Sequence, residues 1–523
     1  MRPEVWRPPV EPSAAEQVVM KAVRRARLFV FLRQHRHELL DDPFQAELAE
    51  AYKDRRKGQP PVPPAQLALA TILQAYTGAS DDEVIEATVM DRRWQLVLDC
   101  MDAGQAPFSK GTLVGFRARL IERDLDRRLV ERTVALAART GGFGSRALRA
   151  ALDSSPLWGA GRVEDTINLM GHALRKALGV IAVSQGRGQA AGTAIVAAQA
   201  GVPQLAASSL KAALDRDWDD PSARDQALAE VLGFLDQVEA FAAGQLGDQA
   251  AATAVAAARQ VRDQDVDFSG TVPSLRRGVA KDRRISIQDD QMRHGRKSRS
   301  VLFDGYKRHV LRDLDTGLIP AVGITPANAP EASVTGGIAA DLDAAGQTLA
   351  ELHIDRAYLA SDLVRDRGPD LVIYCKAWRV RNTGGRYPKS QFTIDFAAGQ
   401  LTCPAGISMS FRPGQTVHFP KSTCAACPLR QQCTTSRNGR SVSIHPDEAL
   451  LAELRQRQQT PAGRAQLRER VQVEHALAHV GHWQGRRARY TGTRKNLLDL
   501  RRVAVVHNLH VIARKPDPDE MAA

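Results

Sequence analysis

Three acidic residues, Asp153, Asp355 and Glu474, have the type and setting that phosphate chemistry requires. Asp153 closes the apolar run RALRAALD, read as a short strand that ends there and gives way to small residues and a proline. Asp355 ends a second short strand in LAELHIDRAY, and Glu474 sits in the helical run RVQVEHALAHVGHW. Carboxylates brought to one point by separate elements are the hard oxygen ligands that Mg²⁺ needs for phosphoryl transfer. Taken singly, an Asp at a strand end is more often a turn or cap residue. Glu474 stands apart because residues 464–515 hold 12 Lys or Arg against 3 acids, a net charge of +9. Arg470, one helical turn earlier, shares its face and can hold the carboxylate or a phosphate; a plain i,i+4 ion pair is the other reading.

The cysteines carry a second chemistry. Four of the six are spaced as Cys403, then Cys424-x-x-Cys427-x5-Cys433, in CPAG and CAACPLRQQC contexts suited to a metal knuckle. Four thiolates would close a tetrahedral, structural Zn²⁺ site with no open position; reduced free thiols are the alternative. Cys100 and Cys375 read as buried small apolar residues. His475 and His479 lie four apart beside Glu474, but the Glu precedes the pair, so the HExxH arrangement of metalloproteases does not fit.

The partner follows from charge. Over 523 residues the net charge is +13, with a pI near 9.7, which favours a polyanion, nucleic acid first. Residues 275–312 hold 12 Lys or Arg against 4 Asp, including Lys307 and Arg308, and form a phosphate-facing candidate. In the N-terminal part, start signals at Ser80 (with Glu83 completing a capping box) and Ser109 suggest two short helices joined by a compact turn. The later helix, carrying Lys110, Arg117 and Arg119, would be the reading helix of a helix-turn-helix, against the alternative of a plain helical scaffold. Arg486, Arg487 and Lys495 extend the basic surface beyond Glu474. No apolar run reaches transmembrane length and the N-terminus lacks a signal-peptide pattern, so a cytoplasmic protein is expected.

Elements that must position these residues can be read coarsely. FDGYKRHVLRD and GLIPAVGIT alternate as a hairpin around Asp313–Gly317, and LVIYCK supplies one more strand. Helical periodicity fills residues 1–145, 163–262 and 446–515, while 377–445 is polar, rich in turns and holds the cysteine cluster.

From about residue 25 to 513 the chain resembles the DDE transposases of bacterial insertion sequences. DDPFQAELAEAYKDRRKGQPPVPPAQLALATILQAYTGASDDEV and DRRWQLVLD are similar to their N-terminal helical domain. ALDSSPLWGAG, DGYKRHVLRDLDTGLIPAVGITPANAPE, HIDRAY and RVQVEHALAHVGHWQGRRARYTGTRKN resemble successive parts of their catalytic core. The resemblance implies a multidomain α/β protein whose core is a ribonuclease H-like mixed sheet with helices. Its parts would be a helical DNA-binding domain (1–145), the first part of the core (146–376) with a helical insertion (163–262), a zinc-binding insertion (377–445), the region of the catalytic helix (446–515) and a tail (516–523). It further implies Asp153, Asp355 and Glu474 as ligands of two Mg²⁺ ions, with Mn²⁺ as a substitute, and cleavage and joining of DNA by a homodimer or higher oligomer. Two departures stand out: Leu467 and Gly481 occupy positions where relatives often carry a Tyr and a Lys. A binding protein that has lost catalysis and a structure-selective nuclease are the competing readings.

Overall fold

Leu148, Ala150, Ala151 and Leu152 are all buried, although alternate residues of a strand point to opposite faces. A strand apolar on both faces belongs in the middle of a covered sheet, and this one does. The structure, a computed structural model, describes residues 2–54, 59–101, 103–140, 147–244, 249–378 and 384–514. Its main sheet has six strands: β1 (Leu148–Trp158), β2 (Arg293–Arg296), β3 (Leu302–Asp313), β4 (Ala321–Pro326), β5 (Leu349–Ile354) and β6 (Val372–Cys375). β1 runs antiparallel to β3 and parallel to β5, and β5 is parallel to β6. The outer edge of β3 is shared, with β2 pairing residues 302–305 and β4 pairing residues 306–311. The fold is thus a mixed α/β architecture around a mixed sheet.

Asp153 was expected to end its strand, and the structure corrects this: β1 continues to Trp158, paired with β3 throughout. What ends near Asp153 is the other neighbour, since the last pair with β5 is Leu152–Ile354. From Asp153 to Leu157 β1 pairs with β3 alone, a setting that tolerates Pro156. Gly305 marks the far end of the β1–β3 contact. Its φ is +147°, and an added Cβ would lie 2.3 Å from the Gly159 amide nitrogen, so only glycine fits there.

The expected hairpin forms between β3 and β4, but its second strand starts only at Ala321. The preceding Ile319 turns instead to Asn508, donating its N–H to Oδ1 and accepting from Nδ2. Asn508 lies in the C-terminal helix Thr493–Ala513, which joins the N-terminal helices to the sheet. Arg501 of that helix pairs with Asp126 and Asp124 on one side and Asp341 on the other. The N-terminal helices, among them Pro64–Thr77, which is buried from Pro64 to Ala75, therefore share one apolar core with Val310, Ile319, Val322, Val473 and Leu477.

The Ser80 capping box and the Ser109 cap are both present. Between the two helices they start, however, lies a third, Arg92–Leu98, and residues 99–101 and 103–109 that follow it are not helical. The compact turn of a helix-turn-helix is absent here. Helices from Thr166 to Asp265 pack around a core of their own. Short strands and helices from Thr393 to Ser443 form another small core around Phe392, Leu401, Val417, Phe419 and Val442. Among the described residues no helix is long and apolar enough to cross a membrane. The tail expected at 516–523 lies outside the described residues.

Candidate active-site cleft

Register brings the first two acids together. Because Leu152 of β1 faces Ile354 of β5 in parallel pairing, the next residue on each chain, Asp153 and Asp355, emerges at the same level where the two strands part. Asp355 then caps a short turn, accepting the Arg356 N–H at 2.6 Å. Glu474 arrives on the helix Val471–Gln484, whose Val473, Ala476, Leu477 and Val480 are buried, leaving Glu474 exposed. All three acids line one cavity of about 980 Å³.

Arg470 lies among them, donating to Asp153 at 2.5 Å and to Glu474 at 3.1 Å. Burial pushes the Asp153 carboxyl above its ordinary range; Arg470 opposes this, while the nearby charges of Glu331 and Asp355 add to it. Glu331 had no signal in the sequence beyond its type. It accepts a hydrogen bond from Ser154 Oγ at 3.0 Å and stands 3.7 Å from Lys307 Nζ. Trp158 and Arg486 also face the cleft, with the guanidinium 5.1 Å from the ring centroid. Arg296 and Lys297 complete the lining from the segment 275–312, where the charge count located a basic stretch without saying which residues turn inward.

The other basic residues singled out in the sequence divide by burial. Arg487 is exposed and bonds the carbonyls of Gly159 and Ala160; Lys495 is exposed with no ion pair among the described residues. Lys307 reaches the Ala329 carbonyl. Arg308 is 5 % exposed and spends its guanidinium on Ser155, Gln484 and the Gly485 carbonyl. Burial lowers its pKa to about 10. It braces the cleft wall from within, and Gly481 leaves room for it: an added Cβ there would lie 3.3 Å from its Nη2. Arg117 is likewise buried, held by Asp81 and Gln74, so it is not presented to a DNA groove. Lys110 pairs with Asp82 at the surface, and Arg119 lies over the Tyr52 ring. Trp483 stacks on His510 with 5.1 Å between centroids.

As the side chains stand, no group of three or more His, Cys, Asp or Glu among the described residues is gathered to hold a metal ion. The acids of the cleft have the right donor type for a hard divalent cation, with the Arg470 guanidinium occupying the space between two of them. Cys403, Cys424, Cys427 and Cys433 are unbridged and line one apolar cavity. Burial raises the Cys433 thiol pKa, and the other three cysteines lie near enough to add to the shift. Cys100 and Cys375 are buried, as expected for small apolar side chains.

Two family models match the chain. One, described as a transposase DDE domain, matches residues 402–513, which include the cysteine cluster, Arg470 and Glu474. The other, described as a transposase domain (DUF772), matches residues 24–119 of the N-terminal helices. Asp153 and Asp355 lie outside both spans. No curated protein and no solved structure matches the chain.

Proposed function

The chain belongs to the DDE transposases of insertion sequences, and from that premise we propose that it cleaves the ends of a mobile DNA element and joins them to target DNA. The observation that carries this reading is the meeting of Asp153, Asp355 and Glu474, from three separate elements, in one cleft walled by Arg296, Lys297, Lys307 and Arg486. The strand order β4-β3-β1-β5-β6, with three antiparallel strands followed by two parallel ones, supports a ribonuclease H-like core.

Divalent cations bound by the three carboxylates would activate the attacking oxygen and stabilise the leaving one during in-line phosphoryl transfer. The chain's own groups do the rest. Asp153 and Asp355 are fixed by the β1–β5 register, so their spacing does not depend on a loop. Arg470 holds Asp153 and Glu474 until DNA arrives, and it can then turn to a phosphate oxygen. Lys297, Arg486 and Lys307 attract the backbone, and Trp158 offers a flat face for a base. Four thiols around one cavity support a structural Zn²⁺ in the cysteine module, which would stabilise that small core. Two element ends must be held at once, which supports a dimer or larger assembly on DNA.

A labelled duplex carrying the DNA that flanks this gene, incubated with Mg²⁺ or EDTA, tests the proposal. Wild-type protein should cut and join it only with metal, and Glu474→Gln should bind it without cutting. Salt-sensitive binding with no cutting by either protein would favour a binding-only derivative. Cutting without joined products would favour a nuclease.

A further inference from the structure

In-line transfer between two DNA segments places the attacking and leaving oxygens on opposite sides of one phosphorus. The DNA that carries the attacking oxygen and the DNA that is attacked therefore approach the acids from different directions. On the opposite side lies a second cavity, of about 560 Å³, which shares Asp355 and Arg470 with the first. It spreads over the ends of β5 and β6, whereas the larger cleft spreads over β1 and β3. The two meet at Asp355 from opposite directions along the sheet.

The second cavity is lined by Arg356, Lys376, Arg464, Arg468 and Arg470 against a single acid, Asp355. Arg356, Lys376 and Arg468 are exposed, and their side chains make no hydrogen bond or ion pair among the described residues. Cations left unpaired in a concave site are poorly explained as fold stabilisers, and acids on the same elements pair elsewhere: Glu469 and Glu351 with Arg149, Glu453 with Arg457. His353 is fully buried, lines the cavity and stacks on Tyr374 at 4.5 Å, yet its Nδ1 has no partner among the described residues.

We propose that this second groove binds the phosphodiester backbone of the target DNA, while the larger cleft holds the element end. The assignment rests on the transposase reading and deepens it. Lys376, Arg464 and Arg468 neutralise consecutive phosphates, and Arg356 guides the attacked one toward Asp355. Each of these contacts adds about one unit to the salt slope of target binding.

The experiment compares wild type with the triple variant Lys376→Ala/Arg464→Ala/Arg468→Ala. The probes are the flanking-DNA duplex as element end and a plasmid of unrelated sequence as target, with melting temperature as a check on folding. The variant should melt and cut the end as wild type does, join it to plasmid at about one tenth the yield or less, and bind plasmid with a salt slope lower by about three. Joining at wild-type yield overturns the groove assignment, as does end cleavage that falls in parallel with joining. Should wild type itself neither cut nor join, the transposase reading fails. Plasmid binding then decides the groove by itself, because an unchanged salt slope in the variant removes it.

Discussion

Arg470 and Asp153 stand 317 residues apart in the chain, yet their side chains meet at 2.5 Å. Through its second nitrogen Arg470 also reaches Glu474 at 3.1 Å. One guanidinium thus neutralises two of the three acids in a site that lies open to solvent. A divalent cation competing for the same oxygens must displace it. Arg470→Ala should therefore bind Mn²⁺ severalfold more tightly than wild type in DNA-free calorimetry, while cleavage falls because a phosphate contact is gone. Weaker Mn²⁺ binding in the variant would mean that Arg470 positions the carboxylates for metal instead of competing with it.

Arg117 and Arg486 looked alike as basic residues in helical or basic sequence, and the structure gives them different work. Arg117 is 6 % exposed and forks onto both oxygens of Asp81 at 2.6 Å, whereas Arg486 is exposed at the cleft wall. The Asp81 side chain is 24 % exposed and keeps a hydrogen bond from Gln74, so losing the guanidinium costs about 1–3 kcal/mol. Arg117→Ala should lower the melting temperature markedly, with intact DNA affinity in the folded fraction. Arg486→Ala should leave melting unchanged and weaken DNA binding in a salt-dependent way. The reverse pattern would restore the Lys110–Glu122 helix as the reading helix.

That contrast marks how far sequence reasoning reached. Asp153, Asp355 and Glu474 stand out as candidates in the sequence through the segments that resemble a transposase core, although Asp153 does not end its strand. Their convergence was not legible there, since it depends on the Leu152–Ile354 register, a pairing between segments far apart in the chain. The extent of β1 was misjudged because Ser154, Ser155 and Pro156 look like a loop; pairing with β3 overrides their local preference. Arg308 reads from sequence as a phosphate-facing residue because alternation cannot say which face of a central strand is covered by the Glu474 helix. Glu331 and the second basic groove had no local signal, as they arise only where β1, β5 and β6 lie side by side.

His309 gives the fold a dependence on pH that can be signed. It is fully buried, with Nδ1 2.8 Å from Tyr358 Oη and Nε2 2.9 Å from Thr325 Oγ1. Burial, with help from the Lys307 charge, lowers its pKa to about 3, against about 6.5 in an unfolded chain. The folded state therefore binds no proton here while the unfolded state begins to below pH 6.5. Its contribution is fully present above about pH 6.5 and is lost as pH falls toward 3. His507, lowered by burial to about 4, acts in the same direction. Melting temperature should fall steadily from pH 7 to pH 4, and His309→Gln should be less stable at pH 7 but show a shallower decline. An equally steep decline in the variant would assign the acid sensitivity to other groups.

The cysteine module offers a test in which metal and fold are read together. Its core is small, with six buried apolar side chains among the described residues, and such modules commonly need a staple. Thiols are protonated at neutral pH and burial raises the Cys433 pKa further, so capture of a metal must release protons and should tighten as pH rises. Purified protein should carry about one zinc per chain, lost with a strong chelator together with a lower melting temperature. Cys427→Ser, one of four thiols around the cavity, should reproduce both effects while sparing the Glu474 helix, which is anchored through Val473, Ala476 and Val480 to a separate core. Zinc-free protein whose melting is indifferent to chelator would make the four cysteines plain thiols of an apolar pocket.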